Sequence, residues 1–382
     1  MMGVCCVGIA GATVLSDAHA IQNVLDLVNY ATTDPNAAAT EMRSISDRTI
    51  VRDIGAWSPT QFAAKNASLP VVLAHGMGDS CFNSGFKSVT AAVASKLGVY
   101  ATCIPTGSNA ISDTINGFLM NMDKSVDVFA AKVRADPKLT GGFYAMGLSQ
   151  GNNLIRGYIQ KYNDPPVKSF LSICGINAGV AAFPQCAPSI PVLGKVCLAL
   201  NSLLGDLAYN ALVQGILMQA NYFRDPAKLS SPAYMQHSQV RDGDLIEPTL
   251  ASLPPAPFAD GSTHLIPVSD QLAQWNGEGV TPAANMSQQR ANWAKTAAFV
   301  WVRGTLDTVV WPNIGEQWGA VSADYPKNLS SVPMAQTKWY TTDAFGLKTA
   351  DDAGKNHFEE FAGEHIRFTM TELNGWLDQY FV

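Results

Sequence analysis

Residues 142–151 read Gly142-Phe143-Tyr144-Ala145-Met146-Gly147-Leu148-Ser149-Gln150-Gly151. Gly142–Met146 is a short apolar run of strand composition. From Gln150 to Tyr162 the pattern is helical. Between them, Gly147–Gly151 fits G-x-S-x-G in the context that gives the pattern meaning: strand, tight turn, helix. Such a turn holds the Ser149 hydroxyl clear of a sheet, at the start of the following helix. Glycines are required beside it because a neighbouring Cβ would clash. The backbone N–H of Gln150 then faces any oxyanion that develops at the serine. A serine that merely caps a buried helix fits the same five letters, and only the flanking strand and helix favour a nucleophile.

Outward from this stretch, strands and helices alternate. Pro70–Ala74 reads as a buried strand, Phe86–Leu97 as a helix and Val99–Ile104 as a strand. Ser112-Asp113 is read as the start of one long helix, with Ile115, Phe118, Leu119, Met122, Val126, Phe129 and Val133 on one face and Asp136-Pro137 as its stop. Val167–Cys174 is the next strand. Residues 176–298, rich in Pro, Leu, Ala and Tyr, read as a large, mainly helical insertion, with helices near 198–223 and 283–298. Alternation resumes with a strand at Phe299–Val302, a helix near Asn313–Ala320, a strand at Thr337–Thr341 and a last helix near Thr369–Tyr380. This is an α/β pattern: a mostly parallel sheet flanked by helices over 67–382, with the insertion lying over the sheet.

Composition agrees. The chain has 382 residues, 47% of them apolar and only 15% charged, so it is rich in core and poor in charge. Its net charge of −6 argues against a nucleic-acid binder. Past the N-terminus no run of about 18 uninterrupted apolar residues occurs, so no transmembrane span is expected. Only six histidines and seven cysteines are present. No C-x-x-C or Cys/His cluster suggests a zinc site, and no metal or organic cofactor is expected.

The α/β-hydrolase fold places its catalytic groups in the order serine, acid, histidine. The acid belongs just past a late strand, at the C-terminal edge of the sheet. Asp307 follows Phe299–Val302 and is the favoured acid. Only His357 and His365 lie beyond it. His365, in the loop Ala362-Gly363-Glu364-His365 before the last helix, is preferred as the base; His357 reads as a solvated or strand position. The loop His75-Gly76-Met77-Gly78-Asp79 follows the first strand, and Met77 is the expected second oxyanion donor, beside Gln150. His75 reads as a structural histidine, and Asp79 as a residue that holds the loop through its backbone N–H groups.

At the N-terminus, Val4–Leu15 is a short apolar run followed by Ala18-His19-Ala20, the pattern of a signal peptide (residues 1–20), although no Lys or Arg precedes it. An extension, 21–66, follows, with a helix at Ile21–Tyr30. Loss of the signal would leave five cysteines, an odd count, with at least one free thiol. Cys174 reads as a small buried hydrophobe. Cys186 and Cys197 flank a Pro-rich loop, and a bridge between them would be worth about 3 kcal/mol. Sequons at Asn66, Asn285 and Asn328 fit glycosylation during secretory transit.

Several longer strings carry a family resemblance. They are His75-Gly76-Met77-Gly78-Asp79-Ser80-Cys81, Ala145-Met146-Gly147-Leu148-Ser149-Gln150-Gly151, Asp136-Pro137-Lys138-Leu139 and Gln219-Ala220-Asn221-Tyr222-Phe223-Arg224-Asp225-Pro226. Tyr340-Thr341-Thr342-Asp343 joins them, with Gly346-Leu347-Lys348, Asp351 and Ala353-Gly354-Lys355. From about Pro70 to the C-terminus the chain resembles the lysosomal palmitoyl-protein thioesterases, on the palmitoyl-protein thioesterase 1 branch. The resemblance implies an α/β-hydrolase that removes fatty acyl groups from cysteine thioesters, with Ser149 as nucleophile, Asp307 as acid, His365 as base, and Met77 and Gln150 as oxyanion donors. It implies an acyl groove under 176–298, a Cys186–Cys197 disulfide and glycosylation at Asn285. Departures are Ala130 and Tyr162 in place of a second cysteine pair, Phe82 in place of a cysteine, Asn152 in place of a glycine, and a long stretch at 237–262. The extension 21–66 has no clear counterpart in the family.

The expected function is removal of palmitoyl groups from S-acylated proteins or peptides, with acyl-CoA as a further substrate, in a lysosome, an equivalent vacuole or the exterior. A lipase or esterase acting on oxygen esters, and a non-catalytic lipid-binding protein on the same fold, are the alternatives. Oligomeric state is not legible.

Overall fold

The computed structural model describes residues 17–46, 51, 68–182, 194–201, 203, 206–229, 271–278, 286–322 and 330–382. Six strands form one parallel sheet in the order β2-β1-β3-β4-β5-β8. They are β1 (Val71–Ala74), β2 (Ala101–Cys103), β3 (Phe143–Leu148), β4 (Val167–Ile173), β5 (Ala298–Gly304) and β8 (Asn356–Phe361). A separate antiparallel pair joins β6 (Ala320–Val321) to β7 (Ser331–Val332).

The central strands are buried on both faces, which is why they read as nearly unbroken apolar runs. Alternate side chains supply two cores. Val71, Leu73, Tyr144, Met146, Leu148, Leu171 and Ile173 face α3 (Ser84–Leu97) and the C-terminal helix Met370–Tyr380. Val72, Ala74, Phe143, Ala145 and Phe170 face a larger core on the other side of the sheet. That core contains stacked Trp293 and Phe299, with ring centroids 4.3 Å apart.

The expected long helix over 112–135 is two helices, α4 (Ala110–Leu119) and α5 (Met122–Ala135). The apolar stripe continues across the break, and Phe118, Met122, Val126, Phe129 and Val133 are all buried. Asn121 interrupts the backbone because its side chain caps Lys124 N at 2.9 Å and donates to Gly215 O at 3.2 Å. Asn221 then takes the Met122 N–H at 2.8 Å. The cap of α4 is Asn109 rather than Ser112, which serves as the third residue of a capping box.

The expected strand at Thr337–Thr341 is also corrected. Lys338–Thr341 is a helical turn that buries Trp339, and Thr341 N bonds Thr337 O at 3.0 Å. The last sheet strand is β8 instead. It is an edge strand whose charged, half-exposed residues hide it from a search for apolar runs.

Before the sheet come α1 (Asp17–Thr33) and α2 (Pro35–Ile45). Helix α1 packs on the Lys195–Asn201 helix and α2 on α4. The cleavage point read after Ala20 falls inside the first turn of α1. No helix among the described residues is long and apolar enough to cross a membrane.

Candidate active site

Met77, Ser149, Asp307 and His365 each follow the C-terminal end of a sheet strand: Met77 after β1, Ser149 after β3, Asp307 after β5 and His365 after β8. Parallel strands place all four on one edge, although up to 288 positions separate them in the chain.

Ser149 has φ +53°, a strained left-handed conformation for a residue with a side chain. The turn tolerates it because both flanking glycines are sterically obligatory. A Cβ on Gly147 would come within 2.3 Å of Asn152 Oδ1, and one on Gly151 within 2.4 Å of Ala74 O. Asn152, the departure from the family pattern, braces this turn: its Nδ2 donates to Ser149 O at 3.0 Å and Ile173 O at 2.9 Å.

The Ser149 hydroxyl donates to His365 Nε2 at 2.8 Å, and His365 Nδ1 bonds Asp307 Oδ2. All three side chains are buried. Asp307 Oδ1 accepts from Val309 N at 2.7 Å and Val310 N at 3.1 Å. Burial opposes the Asp307 anion, yet the charge and hydrogen bond of His365 hold its carboxyl below the usual range. The loops carrying the acid and the histidine are zipped together by Thr305 N to Phe361 O and Leu306 N to Gly363 O, each 3.0 Å. His357 lies elsewhere, in β8, with its ring 5.0 Å from that of Tyr380.

Gln150 follows the serine, and its side chain is bonded at both ends. Nε2 donates to Gly117 O at 2.9 Å, while Oε1 accepts from Tyr222 at 2.8 Å and Gln219 at 3.1 Å. The Tyr222 hydroxyl also lies 3.9 Å from Met77 Sδ. On the other loop, His75 Nδ1–H donates to Gly76 O at 2.9 Å. A trans peptide is planar, so anchoring that carbonyl aims the Met77 N–H the opposite way. His75 Nε2 lies 3.1 Å from Asp113 Oδ2, an ion-pair contact. Burial works against the charge, but Asp113 pushes His75 up to about 9. Asp113 is itself held well below the usual carboxylate range: burial opposes this, while His75 and backbone donors outweigh it. Asp79 braces the loop as expected, accepting from Ser80 N at 2.8 Å, Val51 N at 3.0 Å and Asn83 Nδ2 at 2.6 Å.

Sequence reading missed three features. In sequence Asp113 reads only as part of a helix start, yet it also accepts from Thr106 N, Gly107 N and Cys81 N at 2.7–3.0 Å. Cys81 and Cys103 form a disulfide across 22 residues, joining the end of the Met77 loop to β2. Buried Glu316 was not singled out; "fully buried acid" is a property of the fold that no local pattern announces. Cys174 is the free, buried thiol anticipated. Cys197 is disulfide-bonded, while its expected partner Cys186 and the sequons Asn66, Asn285 and Asn328 lie outside the described residues.

A strained serine bonded to a histidine that is itself bonded to an aspartate is a hydrolase arrangement, and the wider sequence says which family carries it here. The model of the palmitoyl protein thioesterase family matches residues 70–242 and 262–365. The chain belongs to the palmitoyl-protein thioesterase family. It is 26% identical to palmitoyl-protein thioesterase 1 of Caenorhabditis elegans over 325 residues, 84% of this chain and 95% of that one. It is 25% identical to palmitoyl-protein thioesterase 3 of Dictyostelium discoideum over 297 residues, 78% and 84% of the two chains. Among solved structures it matches an extracellular alpha/beta-hydrolase from a Paenibacillus species at 16% identity and TM-score 0.34, covering 81% of this chain and 98% of that one. The family match in this thioesterase skips 243–261, within the 237–262 stretch that sequence reading marked as long for the family.

Proposed function

We propose that this thioesterase cleaves long-chain acyl groups from S-acylated cysteine by a Ser149–His365–Asp307 acyl-enzyme mechanism. Ser149 Oγ attacks the thioester carbonyl as His365 Nε2 takes its proton. The amides of Met77 and Gln150 hold the oxyanion, each such donor contributing about 3 kcal/mol to the transition state. The C–S bond breaks and His365 returns the proton to the departing thiolate, a good leaving group because a cysteine thiol has a pKa of about 8.5. Water, deprotonated by His365, attacks the acyl-serine and releases the fatty acid and free Ser149. Asp307 keeps Nδ1–H of His365 engaged, so that Nε2 faces the serine.

The observation carrying this reading is the bonded line from strained Ser149 through His365 to Asp307 at the sheet edge. Acyl-CoA is a second substrate of the same chemistry. The acyl chain lies under 176–298, where each buried methylene contributes about 0.8 kcal/mol and makes length the basis of selectivity. Removal of residues 1–20 as a signal, an extension at 21–66, a Cys186–Cys197 bridge, glycans at Asn66, Asn285 and Asn328, and residence in a lysosome, a vacuole or the exterior complete the proposal.

The test compares a palmitoyl-cysteine peptide and acyl-CoAs of graded length with a triglyceride and a p-nitrophenyl ester, at acidic and neutral pH. Thioester hydrolysis rising with chain length supports the reading. Preference for the triglyceride overturns it in favour of a lipase.

A further inference from the structure

A second buried carboxyl stands against Asp307. Glu316 lies in the short 3-10 helix Asn313–Gln317 and is fully buried. Its Oε2 accepts the N–H of Gly304, the last residue of β5, at 3.0 Å. Its Oε1 is buried too and receives no donor among the described residues. The groups facing it are the Asp307 carboxyl and the Cys174 thiol; Asp307 N bonds the carbonyl of the same Gly304 at 3.0 Å, which sets the two acids side by side. Asp307 is differently placed, with Val309 N, Val310 N and His365 all bonded to it.

Two carboxyl groups in contact cannot both ionise in a buried site. The anion settles where donors and positive charge are densest, which is Asp307. We infer that Glu316 is a neutral carboxylic acid in the resting enzyme and that its Oε1–H donates to Asp307, making Glu316 a positioning residue for the Asp307–His365 pair. This accounts for the oxygen that otherwise lacks a partner. It also agrees with the electrostatics of the site: burial and the neighbouring Asp307 charge push Glu316 well above the usual carboxylate range. Bonded by Glu316 and the two valine amides, Asp307 has little freedom to turn away from His365. A neutral acid does this without adding a second negative charge, which would raise the basicity of the histidine and leave it protonated when it must accept a proton.

The inference rests on Asp307 being the triad acid, and its test reads protonation apart from activity. Infrared difference spectra of the full chain against Glu316→Gln, at neutral pH, should show a carboxylic-acid C=O band that the variant lacks. In kcat/KM against pH, Glu316→Gln, which keeps an N–H donor in place, should leave the apparent pKa of the base where it was. Glu316→Leu should lower kcat/KM about tenfold, and Glu316→Gln should recover most of that loss, a donor-dependent effect of the size expected when an orienting partner is removed. Absence of the band overturns the inference. So does a downward shift of the base pKa by about one unit in Glu316→Gln, since that would mean a negative charge had been removed. If Glu316→Leu does not fold, the band and the Glu316→Gln profile decide. Failure of the triad reading is a separate outcome: activity surviving Ser149→Ala with the band intact.

Discussion

Ser46 occupies the space that a side chain on Gly78 would need. A Cβ on Gly78 would stand 2.3 Å from Ser46 Cβ and 3.0 Å from Met42 O, and Gly78 has φ +72°. The end of α2 thus packs directly on the loop that carries Met77. Gly78→Ala should therefore lose stability in two ways, about 1–2 kcal/mol from the left-handed backbone and about 1–3 kcal/mol from overpacking. A denaturation midpoint measured with and without Ser46→Gly separates them. Ser46→Gly should restore the packing share only, and strict additivity of the two substitutions would show that the contact carries no energy.

Ser149→Ala should abolish thioester hydrolysis, and His365→Ala should cost about as much, because triad members act as a unit. His357→Ala should leave the rate within about twofold, since surface substitutions away from a site have small effects. Steady-state kinetics on one acyl-CoA suffices. A large loss in His357→Ala, with His365→Ala active, would reverse the assignment of the base.

Much of the sheet, and Ser149, His365 and Asp307 as candidates for one site, are legible in the sequence. Buried parallel strands such as Phe143–Leu148 announce themselves by apolar runs, and the six histidines left only two candidates for the base. What stayed hidden depended on contacts between distant segments. Among the described residues the charged edge strand Asn356–Phe361 pairs with β5 alone, and its sequence carries no apolar run to announce a strand. The turn Thr337–Thr341 has strand-like composition but is drawn into a helix around buried Trp339. The apolar face spanning 115–133 is continuous, and its backbone breaks where Asn121 caps Lys124 and reaches across to Gly215 in the insertion. Asp113 and Glu316 gain their roles from loops that sequence distance conceals.

Tyr222→Phe should lower kcat more than it raises KM. The Tyr222 hydroxyl donates to Gln150 Oε1 at 2.8 Å; Gln219 Nε2 donates to the same oxygen at 3.1 Å and to Gly117 O, which also accepts from Gln150 Nε2. Loss of one bond loosens the residue whose amide is the proposed oxyanion donor, and small misplacements of such groups cost roughly 3- to 30-fold in rate. Tyr222→Phe with Gln219→Leu should be worse than either alone. An unchanged kcat in the double variant would remove this network from catalysis.

The His75–Asp113 pair gives stability a pH dependence whose sign can be worked out. His75 is raised to about 9 in the folded chain, against about 6.5 when unfolded. Its contribution is therefore complete below about pH 6.5 and is lost as pH rises towards 9. Asp113 is shifted the other way. Its contribution is complete above its unfolded value of about 3.9 and is lost as pH falls below that towards its depressed folded value. Between these limits both charges help, and the Gly76 carbonyl that aims Met77 keeps its donor. Asp113→Asn should be destabilised most between about pH 4 and 6.5, and its deficit against the unmodified chain should shrink by pH 9. Urea midpoints across that range test this. A deficit that stays constant from pH 6.5 to 9 would mean that His75 is neutral in the folded protein and that its ring holds Gly76 by hydrogen bonding alone.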